Sequence, residues 1–185
     1  SELPPFVKNH IFLDFAEYPD GPNGGELLRL LYGIADLPLT DDAARFAAEQ
    51  DTASTQAVNK INAAIGNGKG KRLVALFEEG GLPWRVSAAL GCKAAEGLTR
   101  LGQDDAALTM LKQVEAQFPK AIRPKQLRAL ALARRAAKTK NADELDEAQE
   151  ILGELYDAGQ RDPETVGIYG RTWMDRYDID GIELS

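Results

Sequence analysis

The sequence predicts an all-α fold of antiparallel helical hairpins, with a short α/β remnant of one strand and one helix at its N-terminus. Three observations carry this expectation. Ala and Leu supply 50 of the 185 residues against 23 for Val, Ile and Thr, a balance that favours helix over sheet. From Thr40 onward, apolar residues recur at the three- and four-residue spacing of a helix with one buried face. The breaks between these stretches are short and rich in Gly, Pro, Asn and Asp, so successive helices must fold back on one another.

The elements follow in order. Residues 10–15, His10-Ile11-Phe12-Leu13-Asp14-Phe15, form a short apolar run of β-formers after Pro4-Pro5, and Pro19 to Gly25 is turn-rich; the spacing predicts a strand and then a loop. Leu27, Leu28, Leu30, Leu31 and Ile34 give a helical face over 26–34, stopped by Asp36-Leu37-Pro38. A lone strand leaves its backbone groups without partners, so 1–37 reads as the end of an α/β domain that lies upstream. Thr40 with Asp41 and Asp42 caps a helix to about residue 50, and Ser54 caps another to 65, ended by Gly66-Asn67-Gly68. A short helix covers 71–79 before Gly80-Gly81-Leu82-Pro83. Further helices are expected over 84–101, 104–118 (closed by Pro119), 124–138, 143–157 and 163–177.

Composition excludes several classes of function. The net charge is −7 and the isoelectric point about 4.9, which argues against a general nucleic-acid or anionic-membrane binder. One cysteine, Cys92, and one histidine, His10, allow no internal disulfide and no four-ligand Cys/His zinc site, and the expected compartment is cytoplasmic. No apolar run approaches the length of a membrane span, and the start has neither the basic nor the apolar region of a signal peptide. The first residue is Ser1, and the chain stops soon after a strong helical pattern, which is the expectation for a fragment of a larger protein.

An internal period sharpens the all-α reading. Leu101-Gly102, Ala107, Leu108, Leu111, Val114 and Pro119 carry the spacing of a tetratricopeptide repeat across its turn, second helix and terminating proline. Gly102 permits the tight turn, Ala107 allows close helix approach, Leu111 and Val114 fill the same seam, and Pro119 stops the helix. Ala148, Leu152, Leu155 and Pro163 form a second such set; Val166, Tyr169, Gly170 and Trp173 begin a third. Ala107 and Ala148 stand 41 positions apart where the repeat uses about 34, so the array is degenerate. A tetratricopeptide-like α-solenoid fits this pattern, and a plain Ala-rich bundle remains the alternative. In a solenoid the first helix of each pair lines the inner face, where ligands or peptides lie.

The charge is locally inverted. Lys120, Arg123, Lys125, Arg128, Arg134, Arg135, Lys138 and Lys140 occur without one acidic residue among them, leaving 14 basic against 29 acidic elsewhere. At about 100° per residue, Arg123, Arg128, Arg134, Arg135 and Lys138 fall within a sector of about 140°, and Ala129, Leu130, Leu132, Ala133, Ala136 and Ala137 lie opposite. Such a stripe can bind a phosphate-bearing small molecule or an acidic peptide through guanidinium forks. It equally fits a solvated face balanced by the acidic residues of the next helix, Asp143, Glu144, Asp146, Glu147, Glu150 and Glu154.

Other motifs carry less. Gly66-Asn67-Gly68-Lys69-Gly70-Lys71-Arg72 lacks the frame and the Ser or Thr of a phosphate loop and reads as a flexible basic connection. Asp178-Ile179-Asp180-Gly181 has Arg176 where the first ligand of a calcium loop should stand. Cys92 sits among alanines as a buried structural thiol. Trp84, Trp173, Tyr169 and Tyr177 suit either a stacking pocket or the core, the core being the commoner place for them. No nucleophile, base and oxyanion site assembles, so the expectation is a non-catalytic domain, with no cofactor and no metal.

Two resemblances to known families follow from particular residues. Leu3-Pro4-Pro5-Phe6, His10-Ile11-Phe12-Leu13-Asp14-Phe15 and Leu27-Leu28-Arg29-Leu30-Leu31 resemble the last strand and helix of a TIR domain. In NAD-cleaving members of that family the catalytic glutamate lies in an earlier helix, which the resemblance places outside this chain. Leu127-Arg128-Ala129-Leu130-Ala131-Leu132-Ala133, Glu150-Ile151-Leu152-Gly153-Glu154-Leu155-Tyr156 and residues 161–171 resemble the tetratricopeptide sensor domain of bacterial conflict systems and of apoptosis-signal-regulating MAP kinase kinase kinases. That resemblance implies a domain that senses a ligand, a nucleotide among the candidates, or a partner, and so controls an attached effector; homo-oligomerisation is compatible with it. The expected division is a TIR-like remnant over 1–37, connecting helices over 38–83 and an incomplete repeat array over 84–185. The expected function is a sensor binding a phosphate-containing ligand at Arg123, Arg128, Arg134, Arg135 and Lys138, the alternative being a scaffold that holds a peptide in the repeat groove.

Overall fold

The computed structural model describes residues 24–180. Within them the chain is all-α, with nine helices and no strand: α1 Gly24–Ile34, α2 Asp41–Gly66, α3 Gly70–Glu79, α4 Leu82–Val86, α5 Ala89–Arg100, α6 Asp104–Gln117, α7 Ile122–Thr139, α8 Ala142–Asp157 and α9 Pro163–Asp180. The strand expected over 10–15 and the loop after it lie outside the described residues, apart from the last two loop positions, Gly24 and Gly25, which already belong to α1. No helix among the described residues is long and apolar enough to cross a membrane.

The division into helices differs from expectation in two places, each for a local reason. The helices expected over 40–50 and 54–65 are one 26-residue helix, α2. Thr40 is its cap, the Ala43 N–H donating to Thr40 Oγ1 at 3.2 Å. Ser54 is no cap; it is buried within the helix. Between them stands no Gly or Pro, and the Thr52 hydroxyl is satisfied inside the helix by donating to the Ala48 carbonyl at 2.9 Å. The single helix expected over 84–101 is instead broken into α4 and α5. Ser87 is extended (φ −148°, ψ 141°), and its hydroxyl accepts from the Ala89 N–H at 3.1 Å. A serine that can satisfy an amide locally competes with the helix it interrupts.

The remaining turns follow the sequence signals. Gly102 adopts φ 71° between α5 and α6, a left-handed conformation that glycine adopts without steric cost. Asn141 caps α8, its side chain accepting from the Asp143 and Glu144 amides at 3.1 and 3.4 Å, with both carboxylates placed against the positive end of the helix dipole.

Two apolar clusters run through the molecule and meet at α6 and α7. The first joins Ile61 of α2, Leu73 of α3, Trp84 of α4, Leu98 of α5, Leu111 and Val114 of α6 and Leu127 of α7, so α2 to α4 share a core with α5 and α6. The second joins Leu108 of α6, Ala129, Leu132, Ala133 and Ala136 of α7 and Leu145, Ala148 and Leu152 of α8, with Ile168 and Tyr169 of α9 against it. Ala129, Ala136 and Ala148 are fully buried; small side chains there bring α7 and α8 close together. From α5 onward each helix packs on the next, and α7 also adjoins the alternate helices α5 and α9. That second contact brings the α5 and α7 surfaces together as the two walls of a cleft.

Candidate functional site

The basic residues of α7 divide by their angle around the helix. Arg128 and Arg135, on one edge of the sector, turn toward the acidic faces of α6 and α8. Arg128 Nε donates to Glu115 at 2.7 Å and its Nη1 to Glu147 at 2.6 Å. Arg135 Nε donates to Glu144 at 2.9 Å and its Nη1 to Asp105 at 2.5 Å. The hydrogen bond to Glu144 outweighs the cost of burial and raises the Arg135 pKa above the ordinary arginine value. Lys138, in the middle of the sector, is exposed and lies 3.9 Å from Asp104. These three cations therefore bind α6 and α8 to α7, and the charge balance with the next helix extends to the preceding one.

Arg123 and Arg134, on the other edge, face α5. With Glu96, Thr99 and Arg100 of α5 they line a cleft of about 360 Å³ whose apolar floor includes Leu111 and Leu127. Arg123 Nη2 donates to Glu96 at 2.8 Å, and its Nη1 pairs with Glu164 at the start of α9. Burial works against the Arg123 charge, but the hydrogen bond to Glu164 and the charges of Glu164 and Glu96 prevail and raise its pKa. Arg100 and Arg134 are exposed, and neither has a hydrogen bond or ion pair within the described residues. Two uncompensated guanidiniums on facing walls above an apolar floor suit an anion carrying a flat or apolar group, since each fork can donate two parallel hydrogen bonds.

Sequence reasoning found Arg123 and Arg134 but missed Arg100, Glu96, Thr99 and Glu164. The missing wall comes from α5, and only the packing of alternate helices brings it to α7. A basic residue in the last turn of α5 was the one available signal.

The other singled-out residues fall into place. Cys92 and Trp84 are buried in the first cluster, Trp84 edge-on to Phe77 at 5.9 Å between ring centroids. Tyr169 lies between Tyr156 and Trp173, at 6.2 and 6.1 Å. Trp173 and Tyr177 are exposed on the outer side of α9 beside Val166 and Met174. Asp178 is helical, not part of a loop that could wrap a cation. Among the described residues no group of three or more His, Cys, Asp or Glu side chains is placed to hold a metal ion. His10 lies outside the described residues.

No protein-family model, no curated protein and no solved structure matches this chain.

Proposed function

We propose that the chain is a non-catalytic sensor domain that binds a phosphate-containing small molecule in the α5–α7 cleft and thereby controls an attached effector. The observation that carries the reading is the pair Arg100 and Arg134, exposed on facing walls of one cleft and unmatched by any carboxylate among the described residues, in a chain whose acidic residues outnumber its basic ones. On this reading α5–α6 and α7–α8 are tetratricopeptide-like hairpins and α9 the first helix of a third. The resemblance of residues 2–37 to the end of a TIR domain supplies the effector class. Of the five stripe residues, Arg123 and Arg134 serve the ligand, while Arg128, Arg135 and Lys138 hold the walls in place.

Titration calorimetry against nucleotides and inorganic pyrophosphate, comparing the native chain with an Arg100→Glu/Arg134→Glu double variant, tests this. Binding heat with the native chain that is abolished in the variant is expected, with affinity falling as salt rises. Absence of heat with every phosphate compound overturns it. A scaffold reading has one observation in its favour, the exposed apolar side chains Val166, Trp173, Met174 and Tyr177 along one side of α9; capture of a peptide by the double variant as well as the native chain would favour it.

A further inference from the structure

Arg123 is placed where a ligand in the cleft and the seating of α9 compete for the same guanidinium. Its side chain lines the cleft, yet its two terminal nitrogens are engaged by carboxylates from two different helices, Glu96 of α5 and Glu164 of α9. One residue near the start of α7 thus clasps the helices on either side of it. The two partners differ in position: Glu96 is itself a cleft residue, whereas Glu164 is not.

We infer that Arg123 is the switch between the cleft and α9: a phosphate-class anion held by Arg100 and Arg134 draws the Arg123 guanidinium into the cleft, and Glu164 loses its partner. This rests on the proposed use of the cleft for anions. An anion there stands beside the Glu96 carboxylate, so like-charge repulsion loosens that bond while the new acceptor offers Arg123 a replacement with more charge. Arginine keeps its charge throughout, so the exchange is of partners and not of protons.

The start of α9 is also tied to α7 by the buried Gln126, whose side-chain amide donates to Thr165 Oγ1 at 2.7 Å and to Asp162 at 3.3 Å. Release of Glu164 removes one tie between this end of α9 and the rest of the fold, leaving the Gln126 bonds and the packing of Thr165, Ile168 and Tyr169. Because α9 carries the exposed Val166, Trp173, Met174 and Tyr177, a shift in its first turn reaches an apolar surface remote from the ligand. Linkage requires the converse: whatever loosens the Glu164 contact must tighten anion binding by the same factor.

The test uses the full chain, inorganic pyrophosphate as the probe, calorimetry for binding and amide hydrogen exchange for the first two turns of α9. Saturating pyrophosphate is expected to speed exchange at residues 165–170 by about threefold or more. The Glu164→Gln variant is expected to exchange at that faster rate without the probe and to bind pyrophosphate about fivefold more tightly. Binding with unchanged α9 exchange overturns the switch and leaves the sensor reading intact. Equal acceleration by pyrophosphate in Glu164→Gln and the native chain also overturns it, because the coupling then bypasses Glu164. Absence of any binding heat removes the sensor reading and the switch together.

Discussion

Arg128→Ala and Arg134→Ala remove the same side chain from the same helix, and the structure predicts that they differ several-fold in cost. Arg128 is bound to Glu115 and Glu147, with side-chain exposures of 16% for Arg128 and 14% for Glu115. Truncating one partner of a fully buried pair costs about 3–5 kcal/mol, chiefly because the other charge stays buried without compensation. Residual solvent access at Arg128 and the greater exposure of Glu147 reduce this to about 2–3 kcal/mol. For a chain of this size, each kcal/mol moves the melting temperature by about 2–4 °C, so Arg128→Ala should melt roughly 5–10 °C lower. Arg134 is exposed and has no partner among the described residues to strand, and its truncation should stay within about 0.5 kcal/mol. Urea titration and thermal melts followed by circular dichroism at 222 nm measure both. Equal losses in the two variants, or a loss below about 0.5 kcal/mol for Arg128→Ala, would refute the distinction between the ion-paired Arg128 and the exposed Arg134.

The first turn of α9 depends on Asp162, which accepts from the Glu164 and Thr165 amides at 3.1 Å each and from the Thr165 hydroxyl at 2.6 Å; Asp162→Ala should cost about 1 kcal/mol by urea titration. The Thr165 hydroxyl, then its amide, hold the Asp162 carboxyl below its ordinary value. A depressed folded-state pKa gives stability that is present above the unfolded value of about 3.9 and is lost as pH falls through the folded value. The stability gap between the native chain and Asp162→Ala should therefore narrow below about pH 4, and a gap that widens there sinks the assignment. Two glycines give opposite outcomes. A Cβ on Gly97 would stand 2.7 Å from the Ile65 side chain and 3.0 Å from Leu73, so Gly97→Ala should destabilise by about 1–3 kcal/mol. Gly170 has nothing within 4 Å of that position, and Gly170→Ala should stabilise by about 0.5–1 kcal/mol; the two melts read both directly.

Helix existence was legible because each helix carries its own apolar period, and the turn at Gly102 and the capping by Thr40 are read from a few adjacent residues. The errors fell where two local rules compete. Ser54 and Ser87 are both plausible caps, yet Ser54 is absorbed into α2 while Ser87 breaks α4 from α5. The difference lies in their surroundings: α2 runs without Gly or Pro through residue 54, whereas Ser87 follows a five-residue helix opened by Gly81 at φ 112°. The site was half legible for a different reason. A helical wheel orders Arg123, Arg134, Lys138, Arg135 and Arg128 correctly around α7, but it cannot say which of them meet carboxylates, because Glu115, Glu147, Glu96 and Glu164 come from four other helices.

That order has an energetic consequence. Opposite charges on neighbouring helices find one another cheaply in an acidic chain, and the α6 and α8 edge of α7 shows it: Arg128 and Arg135 each take two carboxylates. On the α5 edge Arg123 likewise takes two carboxylates, Glu96 and Glu164, but Arg100 and Arg134, which line the same cleft, have no ion pair among the described residues. Two exposed like charges without partners on one cleft repel one another only weakly through solvent, and an anion bound between them stabilises the folded state. The stabilisation by such an anion grows with its concentration relative to its dissociation constant. A rise in melting temperature with added pyrophosphate, absent when Arg100 and Arg134 are replaced by glutamate, is therefore the stability counterpart of the binding heat. It reads the same uncompensated charge from the side of folding.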